Sequence, residues 1–196
     1  MIHFLKQPQA TLDLHHCQDV KKTMQRIVVI GCMGAGKSVF SERLSRITSL
    51  KLFHLDRLFW KPGGKGAGRQ EWLRIQEEIV AGPSWIVEGN YGATIDVRLR
   101  RADTAIFLDF STVSCFLGVI KRALLSKIGI EKRRDIVAGC NERLDAKFLR
   151  YAWTFNKKHR EGILKGLSGY PNVKLVVLRR REDADRFLRE MEASRV

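Results

Sequence analysis

The run Arg26-Ile27-Val28-Val29-Ile30-Gly31-Cys32-Met33-Gly34-Ala35-Gly36-Lys37-Ser38 decides the fold. Ile27 to Ile30 are consecutive β-branched residues, the pattern of a strand buried on both faces. Gly31 to Ser38 spells Gly-x-x-x-x-Gly-Lys-Ser, and helical periodicity resumes over 37–47. Between a strand and a helix, this spacing reads as a phosphate-binding loop. Backbone N–H groups must wrap phosphate oxygens there, so side chains at Gly31, Gly34 and Gly36 would obstruct the approach. The helix start adds unpaired N–H groups and the positive end of a dipole. Gly31, Cys32, Met33, Gly34, Ala35, Gly36, Lys37 and Ser38 are therefore the expected contacts of a nucleoside triphosphate, ATP with Mg²⁺. Lys37 is expected on the β- and γ-phosphates as a catalytic charge, and the Ser38 hydroxyl on Mg²⁺. The pattern arises by chance in roughly one chain in a hundred of this length, and the flanking elements cut that about tenfold.

Working outward, Val- and Ile-rich runs alternate with helix-period segments, which predicts an α/β fold with a parallel sheet covered by helices. Strands are expected at 26–30, 51–55, 85–88, 105–109 and 173–178. Helices are expected at 37–47, 70–80, 112–127, 142–167 and 183–192. The Gly-rich segment 62–68 reads as a mobile loop, having neither a strand before it nor Lys-Ser after it. Residues 1–23 read as a loosely attached extension, and 24–196 as a single nucleotide-binding domain. His15-His16-Cys17 has no further ligands nearby and reads as a solvated turn or short helix rather than a metal cluster.

The 196 residues suffice for one α/β domain with a real core, and 44% hydrophobic residues exclude a disordered chain. A formal charge of +15 points to anionic partners without choosing among nucleotide, nucleic acid and acidic surface. Cys17, Cys32, Cys115 and Cys140 show no Cys-x-x-Cys spacing, which argues against zinc and a disulfide framework and for a reducing cytoplasm. The most apolar stretch, 104–120, is interrupted by Asp109, Ser111 and Ser114, so no membrane span is expected.

Ligands of open α/β sheets bind at the carboxyl ends of the strands. The second strand ends in His54-Leu55-Asp56, the third in Glu88-Gly89-Asn90-Tyr91 and the fourth in Asp109. Glu88 is placed to hold Mg²⁺ directly or through water. Asp56 is a candidate for orienting an acceptor hydroxyl or for the metal shell, and each has the alternative of a cap or surface carboxylate. Asp109 precedes a helix start and reads as a cap.

Together with the P-loop, the motifs His54-Leu55-Asp56-Arg57-Leu58-Phe59-Trp60-Lys61-Pro62-Gly63 and Trp85-Ile86-Val87-Glu88-Gly89-Asn90-Tyr91-Gly92 resemble the bacterial topology modulation protein family. Ile106-Phe107-Leu108-Asp109 and Gly139-Cys140-Asn141-Glu142-Arg143-Leu144-Asp145 extend the likeness from about Met24 onward. The family resembles adenylate-kinase-like P-loop proteins. That implies a five-stranded sheet in the order 2-3-1-4-5, a three-layer sandwich and a small helical lid at about 121–145. It usually carries Asp where this chain has Glu88, and a carboxylate one methylene longer can still serve Mg²⁺. The resemblance also implies that Asp56, Arg57, Trp60, Asn90, Tyr91 and Arg98 hold the acceptor. Trp60 has core packing as its alternative, and Arg98 a solvated helix face.

From Lys121 to Arg160 there are twelve Lys or Arg against four Asp or Glu. In kinases of this fold the corresponding segment is a lid that closes positive charge on the phosphates. Arg133, Arg134 and Arg143 are the catalytic candidates it supplies here. Phe148, Tyr151, Trp153 and Phe155 interleave with the charges, so a groove weakly binding nucleic acid and a plain amphipathic helix remain open. Three functions follow: a kinase moving the γ-phosphate of ATP to a nucleotide, nucleoside or other small acceptor; a nucleic-acid-associated ATP-binding protein acting on DNA topology; and a nucleotide-binding module with vestigial chemistry.

Overall fold

A computed structural model describes residues 24–127 and 145–193. Five strands, β1 (Arg26–Gly31), β2 (Leu52–His54), β3 (Trp85–Glu88), β4 (Thr104–Leu108) and β5 (Lys174–Leu178), form one parallel sheet in the order β2-β3-β1-β4-β5. The helices are α1 (Lys37–Thr48), α2 (Leu55–Phe59), α3 (Arg69–Ala81), α4 (Ile95–Leu99), α5 (Thr112–Lys127), α6 (Ala146–Ser168) and α7 (Arg181–Ala193). The expected fold class and strand order hold. The lid candidates Arg133, Arg134 and Arg143 lie outside the described residues, as does the extension 1–23.

Why β1 reads as an unbroken apolar run is clear from its place at the centre. Ile27 and Val29 enter one buried cluster with Phe40, Leu44 and Ile47 of α1 and Phe187, Leu188 and Met191 of α7. Val28 and Ile30 enter the other, with Trp72 and Val80 of α3, Phe107 and Leu167. Alternation along the strand thus feeds two cores, which makes three layers. The α1 residues recur at the spacing of one helix face, so that face covers the sheet.

One expectation gains detail and another is corrected. The segment 62–68 folds back as a hydrogen-bonded loop: Lys61 N–H donates to Lys65 O at 2.8 Å and Ala67 N–H to Phe59 O at 2.8 Å. Gly66 lies against the Phe59 ring, where a Cβ would come within 2.7 Å of ring carbons. Among the described residues the Asp109 carboxylate caps no helix, and at the start of α5 the Ser111 hydroxyl accepts from the Ser114 N–H. Its carboxylate takes instead a bidentate contact from Arg160 of α6, with Nε and Nη2 each at 2.7 Å. That pair joins α6 to the carboxyl end of β4, with the Asp109 side chain only 4% exposed.

Because the Asp109 side chain is shielded, Arg160→Met should cost about 1–3 kcal/mol, chiefly by stranding a charged acceptor. Urea unfolding should also show that Asp109→Asn added to Arg160→Met recovers part of the loss. A change for Arg160→Met within about 0.5 kcal/mol, the range of ordinary surface substitutions, would contradict this role.

Candidate functional site

The P-loop turns from β1 into α1 through two left-handed glycines, Gly34 at φ 78° and Gly36 at φ 85°. Gly34 has a second constraint, since a Cβ there would stand 2.0 Å from the Cys115 carbonyl oxygen of α5. The loop crown is therefore pressed on α5, and only a residue without a side chain fits. Cys32 and Ala35 are buried, while Met33 is partly buried against the first core cluster. Lys37 Nζ donates to the Cys32 carbonyl at 3.2 Å, so the ammonium already lies back over the loop. Cys115 Sγ donates to the Phe110 carbonyl at 3.7 Å, and the buried free thiols of Cys32 and Cys115 are in contact with each other. That contact holds the Cys32 pKa below its ordinary value and raises that of Cys115.

At the first turn of α1 the Ser38 hydroxyl lies 3.4 Å from Glu88 Oε2 at the end of β3. The register brings them together: Val29 of β1 pairs with Glu88, and the chain after β1 returns over that strand end. His54, which pairs with Glu88 across β2 and β3, places Nδ1 2.9 Å from the same oxygen. The donor set of a hydroxyl and a carboxylate is all oxygen. Mg²⁺ bound through one or two carboxylates together with substrate phosphates needs that chemistry, so the residues fit the ion. Among the described residues no cluster of three or more His, Cys, Asp or Glu forms a dedicated metal cage.

The acceptor-side candidates divide. Asp56 lies in the first turn of α2, because the expected strand 51–55 ends at His54. Its Oδ1 accepts from the Tyr91 hydroxyl at 2.7 Å. Burial, then the neighbouring Asp56 charge, pushes the Tyr91 pKa well above its ordinary value, so the phenol stays a donor. Tyr91 also sits at φ 36°, an uncommon left-handed conformation for a residue with a side chain. Arg57 is exposed on the same short helix. Trp60 is 39% exposed and packs edge-on to Phe59, so it is not a core residue.

Asn90 and Arg98 hold the chain rather than facing outward. Asn90 Oδ1 accepts from the Gly31 N–H at 3.1 Å, which ties the loop after β3 to the P-loop. Arg98 is 0% exposed, which overturns the solvated face and removes direct acceptor contact in this conformation. Its Nη1 donates to Gly89 O at 2.7 Å, and its Nη2 donates to Asn90 O at 2.6 Å and Tyr91 O at 3.3 Å. Short turns leave carbonyls without sheet partners, and the planar fork satisfies three of them at once. Burial lowers its pKa to about 10, which still leaves the guanidinium charged near neutrality.

Two residues near the site had no role in the sequence reading. His54 was legible in principle, since it ends β2 beside Glu88. Arg181 bonds the Gly34 carbonyl at 2.9 Å, and its only signal was the basic run Arg179-Arg180-Arg181 after β5.

No protein-family model and no curated protein matches the chain. Solved structures do. Shikimate kinase from Bacteroides thetaiotaomicron shares 14% identity, with 87% of this chain and 97% of that chain covered and a TM-score of 0.52. Shikimate kinase from Acinetobacter baumannii, determined in complex with shikimate, shares 12% identity with 89% and 94% coverage and a TM-score of 0.55. At such identities the likeness establishes the fold: this chain has the P-loop kinase architecture.

Replacing Arg98 by Met should cost about 2–4 kcal/mol, because three carbonyls lose a charged donor in the interior. Denaturant unfolding checks this, and a loss below about 1 kcal/mol would show that the loop holds itself.

Proposed function

We propose that the chain is a P-loop kinase that moves the γ-phosphoryl group of ATP, with Mg²⁺, to a nucleotide, nucleoside or other small acceptor. The observation that carries the reading is the meeting of Ser38 with Glu88 at the start of α1, with the Asp56–Tyr91 pair at the neighbouring strand end. Donor-side and acceptor-side chemistry thus share the carboxyl end of the sheet, where ligands of open α/β folds bind.

In this reading the backbone N–H groups of Gly31 to Ser38 bind the phosphate chain, and Lys37 brings its ammonium to the β- and γ-phosphates. Ser38 and Glu88 hold Mg²⁺, which when bound neutralises charge on the phosphate oxygens. Asp56 takes the proton of an acceptor hydroxyl, and Tyr91 orients its carboxylate by donating to Oδ1. Asn90 and Arg98 act at one remove, holding the acceptor loop in register with the P-loop. Phosphoryl transfer needs this kind of positioning more than covalent help.

A second reading has one observation of its own. Tyr151 is 44% and Trp153 51% exposed on α6, where Lys147, Arg150, Lys157 and Lys158 are also exposed. Weak nucleic-acid binding through the side of α6 that carries Lys147, Tyr151 and Lys158 accords with the resemblance to topology modulation proteins. It would appear as a salt-dependent affinity that Tyr151→Ala lowers, costing about 1–3 kcal/mol through lost stacking. Among the described residues no helix is long and apolar enough to cross a membrane.

Lys37→Ala should abolish tight ATP binding in calorimetry while leaving the fold intact, because the ammonium pairs with a loop carbonyl and not with a buried charge. Asp56→Asn should keep ATP affinity near wild type. In a transfer screen over nucleosides, nucleoside monophosphates and small hydroxyl metabolites, it should lose turnover by about 10²-fold or more. Unchanged ATP affinity in the first variant would remove the P-loop assignment, and full turnover in the second would remove Asp56 as the base.

A further inference from the structure

Arg181 is the first residue of α7. Its position is fixed by Asp183, whose carboxylate accepts from the Arg180 N–H at 3.0 Å, as in one half of a capping box. From there the side chain crosses the Phe110 ring, its guanidinium carbon 5.6 Å from the centroid. Nη2 donates to the carbonyl of Gly34 at 2.9 Å and of Ser114 at 3.2 Å. One cation therefore joins three elements: the P-loop crown, the first turn of α5 and the start of α7.

The close fit depends on Gly118 of α5. A Cβ at that position would stand 2.1 Å from the Gly34 carbonyl oxygen and 2.8 Å from Arg181 Nη2. The other amino group, Nη1, lies 3.6 Å from where a Cβ on Gly36 would be. Among the described residues Nη1 has no hydrogen-bond acceptor. Gly36 is the N-cap of α1 and has no side-chain cap of its own. A charged N–H thus stands beside the helix start whose own first N–H groups face the phosphate site.

We propose that Arg181 is a nucleotide-binding residue with two tasks. Nη2 fixes the P-loop crown against α5, and Nη1 donates to the phosphate chain of the bound nucleotide. The guanidinium suits both, because its donors are spread around a rigid plane and one edge can be spent on carbonyls while another stays open. A phosphate oxygen is the acceptor that gains most from such a donor, since both partners are charged. The inference rests on the nucleotide-binding reading above and adds to it a phosphate contact from outside the loop.

The test is calorimetric titration of the full chain with ATP and Mg²⁺ at low and high ionic strength, for wild type, R181M, R181Q and R181K. Wild-type binding establishes the nucleotide reading; its absence would overturn that reading and this proposal together. R181M and R181Q should each weaken ATP by about tenfold or more, as loss of a charged hydrogen bond implies. They should also flatten the ionic-strength dependence, because one cation facing the phosphates is gone. R181K should recover part of the affinity and the wild-type salt dependence. Circular dichroism checks folding. Should R181M fail to fold, R181Q decides, because glutamine can still donate to the Gly34 carbonyl without carrying charge. ATP affinity within about twofold of wild type in the neutral variants would overturn the proposal. So would a loss that leaves the salt dependence unchanged, which would mark Arg181 as a strap alone.

Discussion

Gly34 can lie on the Cys115 carbonyl only because it has no side chain, and much of the site follows from that contact. It presses the P-loop crown onto α5 and lets the loop turn left-handed before Gly36. The first residues of α1 then stand over the carboxyl end of β1. The Ser38 hydroxyl reaches Glu88 because β3 pairs directly with β1. Asn90, two residues beyond Glu88, returns to the Gly31 N–H and closes the base of the loop. Donor loop and acceptor loop are thus tied to each other by one hydrogen bond and to the sheet by their strands.

A second layer of residues holds this arrangement by gathering backbone carbonyls. Arg98 gathers the carbonyls of Gly89, Asn90 and Tyr91 from inside, and Arg181 takes those of Gly34 and Ser114 from outside. Both loops have backbone acceptors that no strand or helix can satisfy, and arginine meets several such acceptors with one rigid group. In a chain of formal charge +15, the Arg98 cation is buried and committed to shaping a loop, so net charge alone overstates what faces an anionic partner.

How much of this was legible in the sequence differs by residue and for physical reasons. The sheet and P-loop were readable because β1 is buried on both faces and the Gly-x-x-x-x-Gly-Lys-Ser spacing has one structural meaning between a strand and a helix. That Glu88 ends β3 and Asp56 lies just past β2 was readable from the same strand pattern. Arg98 was read as an acceptor residue with a solvated helix face as the alternative, and its burial depends on carbonyls of a loop whose path periodicity does not encode. The ordered loop at 62–68 depends on tertiary contact between Gly66 and Phe59. The Asp109–Arg160 pair joins residues 51 positions apart, beyond any local pattern.

In the proposed reaction Ser38 and Glu88 form an oxygen site that works with a nucleotide and Mg²⁺. Calorimetric titration with ATP, with and without Mg²⁺, on wild type and Glu88→Gln tests it most directly. The account predicts that Mg²⁺ tightens ATP binding to the wild type, and that Glu88→Gln loses most of this gain while still binding metal-free ATP through the P-loop. An equal gain from Mg²⁺ in both proteins, or no ATP binding by the wild type, would contradict it.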